Sequence, residues 1–139
     1  MTTMITVSAT IAAPLAEVWR AWTTPADIVQ WNAASDDWHT TTASIDLRPG
    51  GAFSSRMEAR DGSFGFDFAG TFTEVVEHQR IASEFGGRAL TVEFIADGSH
   101  VTVRETFEAE TTHPVDAQRA GWQAILNNFK RHVEALQRD

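Results

Sequence analysis

The chain is predicted to adopt an α+β fold in which a strongly bent antiparallel sheet wraps around one long C-terminal helix. Three observations lead there. Residues 37–109 divide into six segments of alternating polar and apolar residues, separated by glycine-containing turns. Between the first strand and this region lie two short proline-opened segments with helical spacing. Residues 112–139 carry a single apolar stripe over several helical turns. Strands that follow one another without intervening helices call for an antiparallel meander, not βαβ units.

In chain order, "MITVSATIAA" alternates Ile5, Val7, Ala9 and Ile11 against Thr6, Ser8 and Thr10, the pattern of a half-buried strand. "APLAEVWRAW" then opens at Pro14, with Glu17 in its first turn and Leu15, Val18, Trp19 and Trp22 at helical spacing. "TTPADIVQW" repeats the start signal, with Thr24 as a cap and Asp27 in a capping-box position. The strand region contains "HTTTASIDLRPGG", "AFSSRMEARDG", "SFGFDFAGTFTEVVE", "RIASEFGG", "RALTVEFIADG" and "SHVTVRETFEAE". Its turns fall at Pro49-Gly50-Gly51, Asp61-Gly62, Gly86-Gly87 and Asp97-Gly98. In the last helix Thr112 or His113 can cap, Pro114 opens, and Trp122, Ile125, Leu126, Phe129, Val133 and Leu136 form the stripe. Gly121 interrupts it at about 1 kcal/mol relative to alanine, which suggests a close approach to the sheet. A bent sheet and a helix need not pack flush, so an apolar cavity can remain between them.

Composition narrows the function classes. A length of 139 residues suits a single domain, 1–139, with a sizeable core. The net charge of −8 disfavours nucleic acid and anionic membranes as partners. The absence of cysteine removes disulfides, thiol catalysis and thiolate metal sites. No apolar run reaches the roughly 18 residues of a membrane span, and the N-terminus lacks the basic start of a signal peptide, so a cytoplasmic location is expected. No serine or threonine is tied to a histidine and an acid by a recognisable nucleophile motif. The glycine pairs are turns, since none leads from a strand into a helix with a lysine.

The matching stretches "APLAEVWRAWTTPADIVQW", "IDLRPGGAFSSRMEARDG", "GTFTEV", "RIASEF", "GSHVTVRETFEAE" and "QRAGWQAILNNFKRHVEAL" resemble the SRPBCC, or START-like, superfamily of helix-grip proteins, which includes the birch pollen allergen family. Within it the chain resembles the bacterial branch similar to the C-terminal domain of the activator of heat-shock protein 90 ATPase. The resemblance covers essentially the whole chain and implies the helix-grip fold. It implies less about function, because the superfamily hosts ligand carriers, cyclases, hydrolases, aromatase-like subunits and co-chaperone domains. In much of this family a histidine occupies the position aligned with Glu105.

Strand parity selects candidate residues for the cavity. Val101, Val103, Glu105 and Phe107 share one face, as do Leu90, Val92 and Phe94. Ile45 and Leu47 extend back through Ala43 and Thr41 to His39, so His39 and Glu105 both point inward if no bulge intervenes. An inward glutamate is costly unless paired, and burial raises its pKa. Glu105 and His39 can orient a ligand, act as acid and base, or satisfy each other or the backbone. Asp36 and Asp37, beside Trp38 and His39, suit a rim loop better than a metal site, since they point apart if extended and no second histidine lies near. The resemblance implies that Phe53 and Met57 face inward and Arg56 and Glu58 outward, and alternation then lets Asp67 pair with Arg56 across the hairpin; the opposite parity would put Arg56 in the cavity as an anion anchor.

The leading expectation is a non-catalytic module that binds a small apolar or aromatic molecule. Its site residues are Trp31, Trp38, His39, Phe53, Met57, Phe66, Phe68, Val92, Phe94, Val103, Glu105, Trp122, Ile125 and Phe129, with no metal or cofactor. An enzyme of the cyclase or hydrolase kind with a His39–Glu105 acid–base pair is the second. A co-chaperone-like interaction domain, with a heat-shock protein 90-type chaperone as partner, is the third.

Overall fold

The computed structural model describes residues 2–138. Its elements are β1 (Met4–Ile11), α1 (Leu15–Thr23), α2 (Pro25–Trp31), β2 (Trp38–Ile45), β3 (Ala52–Ala59), β4 (Gly65–Val76), β5 (Arg80–Phe85), β6 (Arg88–Asp97), β7 (His100–Glu108) and α3 (Val115–Leu136). The strands form one antiparallel sheet in the order β1-β7-β6-β5-β4-β3-β2. The sheet curls as a half-barrel around α3, the helix-grip arrangement. Strands β2 to β7 are a simple meander, and β1 joins beyond β7, so the two edges are consecutive strands linked by α1 and α2.

Alternation decides which side chains meet α3. β1 buries Ile5, Val7 and Ile11, β7 buries Val101, Val103, Glu105 and Phe107, and β6 buries Leu90, Val92 and Phe94. α3 answers with Leu126, Phe129 and Val133. Trp122 stacks on Phe107 with ring centroids 3.8 Å apart, while Phe129 meets the edges of Trp22 and Trp31 at 4.9 and 4.8 Å. The C-terminal half of α3 is tied by polar contacts to the loop between β1 and α1 and to α2. Glu134 accepts a hydrogen bond from the Ala12 backbone N–H at 2.9 Å and pairs with Lys130 at 2.8 Å. His132 and Arg20 both meet Asp27, at 2.8 and 2.9 Å.

Three local expectations are corrected. Thr24 makes no side-chain cap, and α3 begins after Pro114 without a cap from Thr112 or His113. The loop before α3 is held instead by Gln118, whose amide donates to the Glu110 and His113 carbonyls at 3.1 and 2.8 Å. Gly121 does not serve a close approach, since a β-carbon there would meet nothing within 4 Å. The close approach is at Gly70, where a β-carbon would lie 2.2 Å from the Glu84 carbonyl oxygen and 2.7 Å from the Phe53 ring.

Candidate functional site

The sheet and α3 diverge toward β3, β4 and β5, and a cavity of about 300 Å³ remains between them. Its position follows from side-chain size and parity. Phe53, Ser55 and Met57 of β3 face inward, as do Phe68 and Phe72 of β4, and Ile81, Ser83 and Phe85 of β5. Trp22, Ile28 and Trp31 close one end, and Trp122 and Ile125 of α3 lie across the top. Trp31 is fixed by its indole N–H, which donates to the Ala21 carbonyl at 3.1 Å. Phe66 stands at the rim, 44% exposed.

Glu105 is the singular feature of this lining. It lies on the buried face of β7, 5% exposed, between Val7 of β1 and Val92 of β6 in register. Its carboxyl has no hydrogen-bond or ion-pair partner among the described residues and opens onto the cavity. Burial alone, disfavouring the charged form, pushes its pKa up to about 8. At neutral pH Glu105 is therefore mostly a neutral carboxylic acid, able both to donate and to accept. Arg88, at the start of β6, also lines the space, with its guanidinium carbon 4.3 Å from the Phe85 ring centroid and a hydrogen bond to the Glu108 carbonyl at 3.1 Å.

The expected site residues divide clearly. Trp31, Phe53, Met57, Phe66, Phe68, Val92, Glu105, Trp122 and Ile125 line the cavity. Phe94, Val103 and Phe129 do not, because they belong to the solid part of the core: Phe94 packs against Trp19 and Trp22, and Phe129 against Trp22 and Trp31. Trp38 lies beyond the rim, where it meets Phe64 and Phe66 and borders a separate polar cleft with Arg60, Arg131 and His132.

His39 is a correction. The β2–β3 register breaks between Thr40 and Thr42, a bulge that shifts the parity of everything before it. Thr40 therefore takes the inward place opposite Met57, with its hydroxyl donating to the Asn32 carbonyl at 2.6 Å. His39 sits opposite Glu58 on the outer face, so His39 and Glu105 are not brought together. That outer face also carries Arg56, paired with Glu58 at 3.0 Å and with Asp67 at 3.5 Å. Asp36 and Asp37 form the loop before β2, where their carbonyls accept hydrogen bonds from the Arg60 side chain and backbone, each at 2.8 Å. No group of three or more histidine, aspartate or glutamate side chains among the described residues is arranged to hold a metal ion.

Several lining residues escaped the sequence reading. Leu90 and Ile45 were on inward faces by parity, but Phe72, Phe85, Ser55 and Ser83 were not singled out. For Ser55 and Ser83 the signal was present, since each sits two residues from an apolar neighbour on the same strand face. Trp22 and Ile28 could not be placed, because helical spacing does not say which part of an apolar face meets solid core and which meets space.

Comparison with known proteins agrees with this architecture. A family model described as activator of Hsp90 ATPase homolog 1-like protein matches residues 12–134. The solved AHSA1-like protein from Aeromonas hydrophila is 47% identical, with a TM-score of 0.92, covering 99% of this chain and 96% of its own. A protein from Cytophaga hutchinsonii is 40% identical, with a TM-score of 0.82, covering 96% of this chain and 94% of its own. A protein from Nitrosomonas europaea, 20% identical with a TM-score of 0.80 over 98% and 97% of the two chains, shares the fold. No curated protein matches the chain. With the family model spanning nearly its whole length and the same helix-grip architecture in these relatives, the chain belongs to the activator of Hsp90 ATPase homolog 1-like family of SRPBCC-fold proteins.

Proposed function

We propose that the protein is a non-catalytic binding module that takes a small apolar or aromatic molecule between the curved sheet and α3. One observation supports this above others: a cavity of about 300 Å³ with largely apolar walls is lined by one carboxyl, that of the inward-facing Glu105, which has no partner among the described residues. Pockets for small molecules combine such walls with a few polar groups that fix orientation. Aromatic walls supply area and shape, and Glu105 supplies direction. The acid–base reading loses its pair, since His39 lies on the other face of the sheet. A cytoplasmic location suits a chain without cysteine.

The test is to fill the space. Ile125→Trp places an indole in the cavity from α3. A panel of small aromatic molecules, followed by amide chemical shifts, is expected to move cavity-lining residues in the natural protein and none in the variant. Equal shifts in both would place the binding elsewhere.

The family match supports a second reading, a domain that docks on a heat-shock protein 90-type chaperone through its outer surface. Adding such a chaperone is then expected to broaden amide signals on the outward strand positions and leave the cavity residues unmoved. Unchanged spectra would remove that reading.

A further inference from the structure

The charged groups of the cavity are unequally provided for. Arg88 and Glu105 are the charged residues that line it. Arg88 has the Phe85 ring and the Glu108 carbonyl, whereas Glu105 has no partner among the described residues. Val7 and Val92 flank it from β1 and β6, and α3 contributes Trp122 and Ile125 to the same cavity. The remaining polar groups, Ser44, Ser55, Ser83 and Asn32, carry no charge. None of these uncharged groups can neutralise a carboxylate, and Arg88, turned to Phe85 and the Glu108 carbonyl, leaves burial as the sole influence on Glu105. A ligand bearing a positive charge can neutralise it, and the walls favour such a ligand for a second reason. Trp22, Trp31, Trp122, Phe68 and Phe85 all border the space, and aromatic rings attract a cation where a free face can reach it. The net charge of −8 draws cations toward the protein and repels anions.

We propose that the cavity selects lipophilic amines, with Glu105 as the counter-ion of the ammonium group and the aromatic walls around the carbon body. The proposal rests on the binding reading above and names its ligand class. A neutral alcohol can hydrogen-bond to Glu105 but brings no charge to compensate it, and a carboxylate ligand would place two acids together. The proton balance is simple. Below about pH 8 Glu105 is mostly the acid when no ligand is bound. An arriving ammonium ion takes the place of that proton, which passes to solvent, so one O–H bond breaks and one ion pair forms. Amine affinity therefore rises about tenfold per pH unit toward pH 8 and then levels off.

Three probes of matched shape separate the outcomes: 4-phenylbutylamine, 4-phenylbutanol and 4-phenylbutanoate, titrated by tryptophan fluorescence and calorimetry between pH 6 and 9. The amine is expected to bind about fiftyfold more tightly at pH 8 than at pH 6 and to change by no more than about twofold from pH 8 to pH 9, with release of about one proton at pH 6 and about half a proton at pH 8. Glu105→Gln, which keeps the shape and removes the charge, is expected to weaken the amine about a hundredfold and leave the alcohol nearly unchanged. Alcohol binding equal to or tighter than amine binding at pH 8, or an amine affinity indifferent to Glu105→Gln, would overturn the amine assignment while leaving the cavity reading in place. No binding by any of the three would overturn both.

Discussion

Glu105 illustrates how a single residue can set a protein's response to pH. Its folded pKa of about 8 lies above the ordinary glutamate value of 4.5, so folding favours the protonated form. The sign follows directly. Below about pH 4.5 the side chain is protonated in both states and costs little. As pH rises from there toward 8, the unfolded chain loses the proton while the folded one keeps it. Stability then falls by up to about 1.4 kcal/mol per pH unit, until the folded form also ionises. Glu105→Gln removes this slope. Urea unfolding is expected to show similar stabilities at pH 4.5 and a variant more stable by a few kcal/mol at pH 8.5. Parallel curves would mean that the carboxyl is solvated in the folded state. Gly121 offers a simpler case. Its added methyl group would meet nothing within 4 Å, so Gly121→Ala is expected to raise stability by about 0.5–1 kcal/mol in the same assay.

At the scale of the element, the bulge in β2 matters most. One extra residue between Thr40 and Thr42 exchanges Thr40 for His39 on the inner face and so decides what β2 shows to α2 and to the core. His39→Ala is accordingly expected to leave small-molecule affinity within about twofold, whereas Thr40→Val removes the bond to the Asn32 carbonyl and costs about 1 kcal/mol of stability. β4 depends on Gly70 in a different way. The Phe53 ring and the Glu84 carbonyl occupy the space a side chain would need, so Gly70→Ala is expected to lower stability by about 1–3 kcal/mol and to displace Phe53 from the cavity wall. Thermal unfolding and the chemical shifts of the Phe53 ring would check both parts. For α3, the Glu134 carboxylate is held below the usual range, first by the Ala12 N–H and then by Lys130, and the bond to Ala12 fixes the helix against the loop between β1 and α1.

On the scale of the whole molecule, a sheet that curls and a helix that does not leave space at one end and solid contact at the other. The solid end is where Phe94, Val103, Phe129 and the tryptophans of α1 and α2 pack together. The open end is where β3, β4 and β5 curve away from Trp122 and Ile125. This division predicts different responses to truncation. Phe129→Ala is expected to cost about 3–5 kcal/mol, because it empties a site with no exposure. Phe68→Ala, whose ring already borders space, is expected to cost clearly less in the same unfolding experiments and to alter small-molecule binding instead. Comparable losses would indicate that the cavity collapses around whatever it contains.

The element order and most of the inward faces were legible in the sequence, because period-two and helical alternation report directly which side of an element is apolar. Leu90, Val92, Val103, Glu105 and Phe107 fall on the buried face that alternation assigns them. The same rule failed at His39, since parity carries along a strand only while the register is unbroken, and a bulge leaves no mark in a run of threonines. Nor could alternation separate Phe68 and Phe85, which border space, from Phe94 and Phe129, which fill it. An apolar side chain reads the same in either place. Alternation along the chain therefore names most of the residues that turn inward, with the bulged start of β2 as the exception. Which of them meet one another, and which leave Glu105 facing an opening, depends on how far the curled sheet draws away from α3, and that is set by contacts between elements distant in the chain.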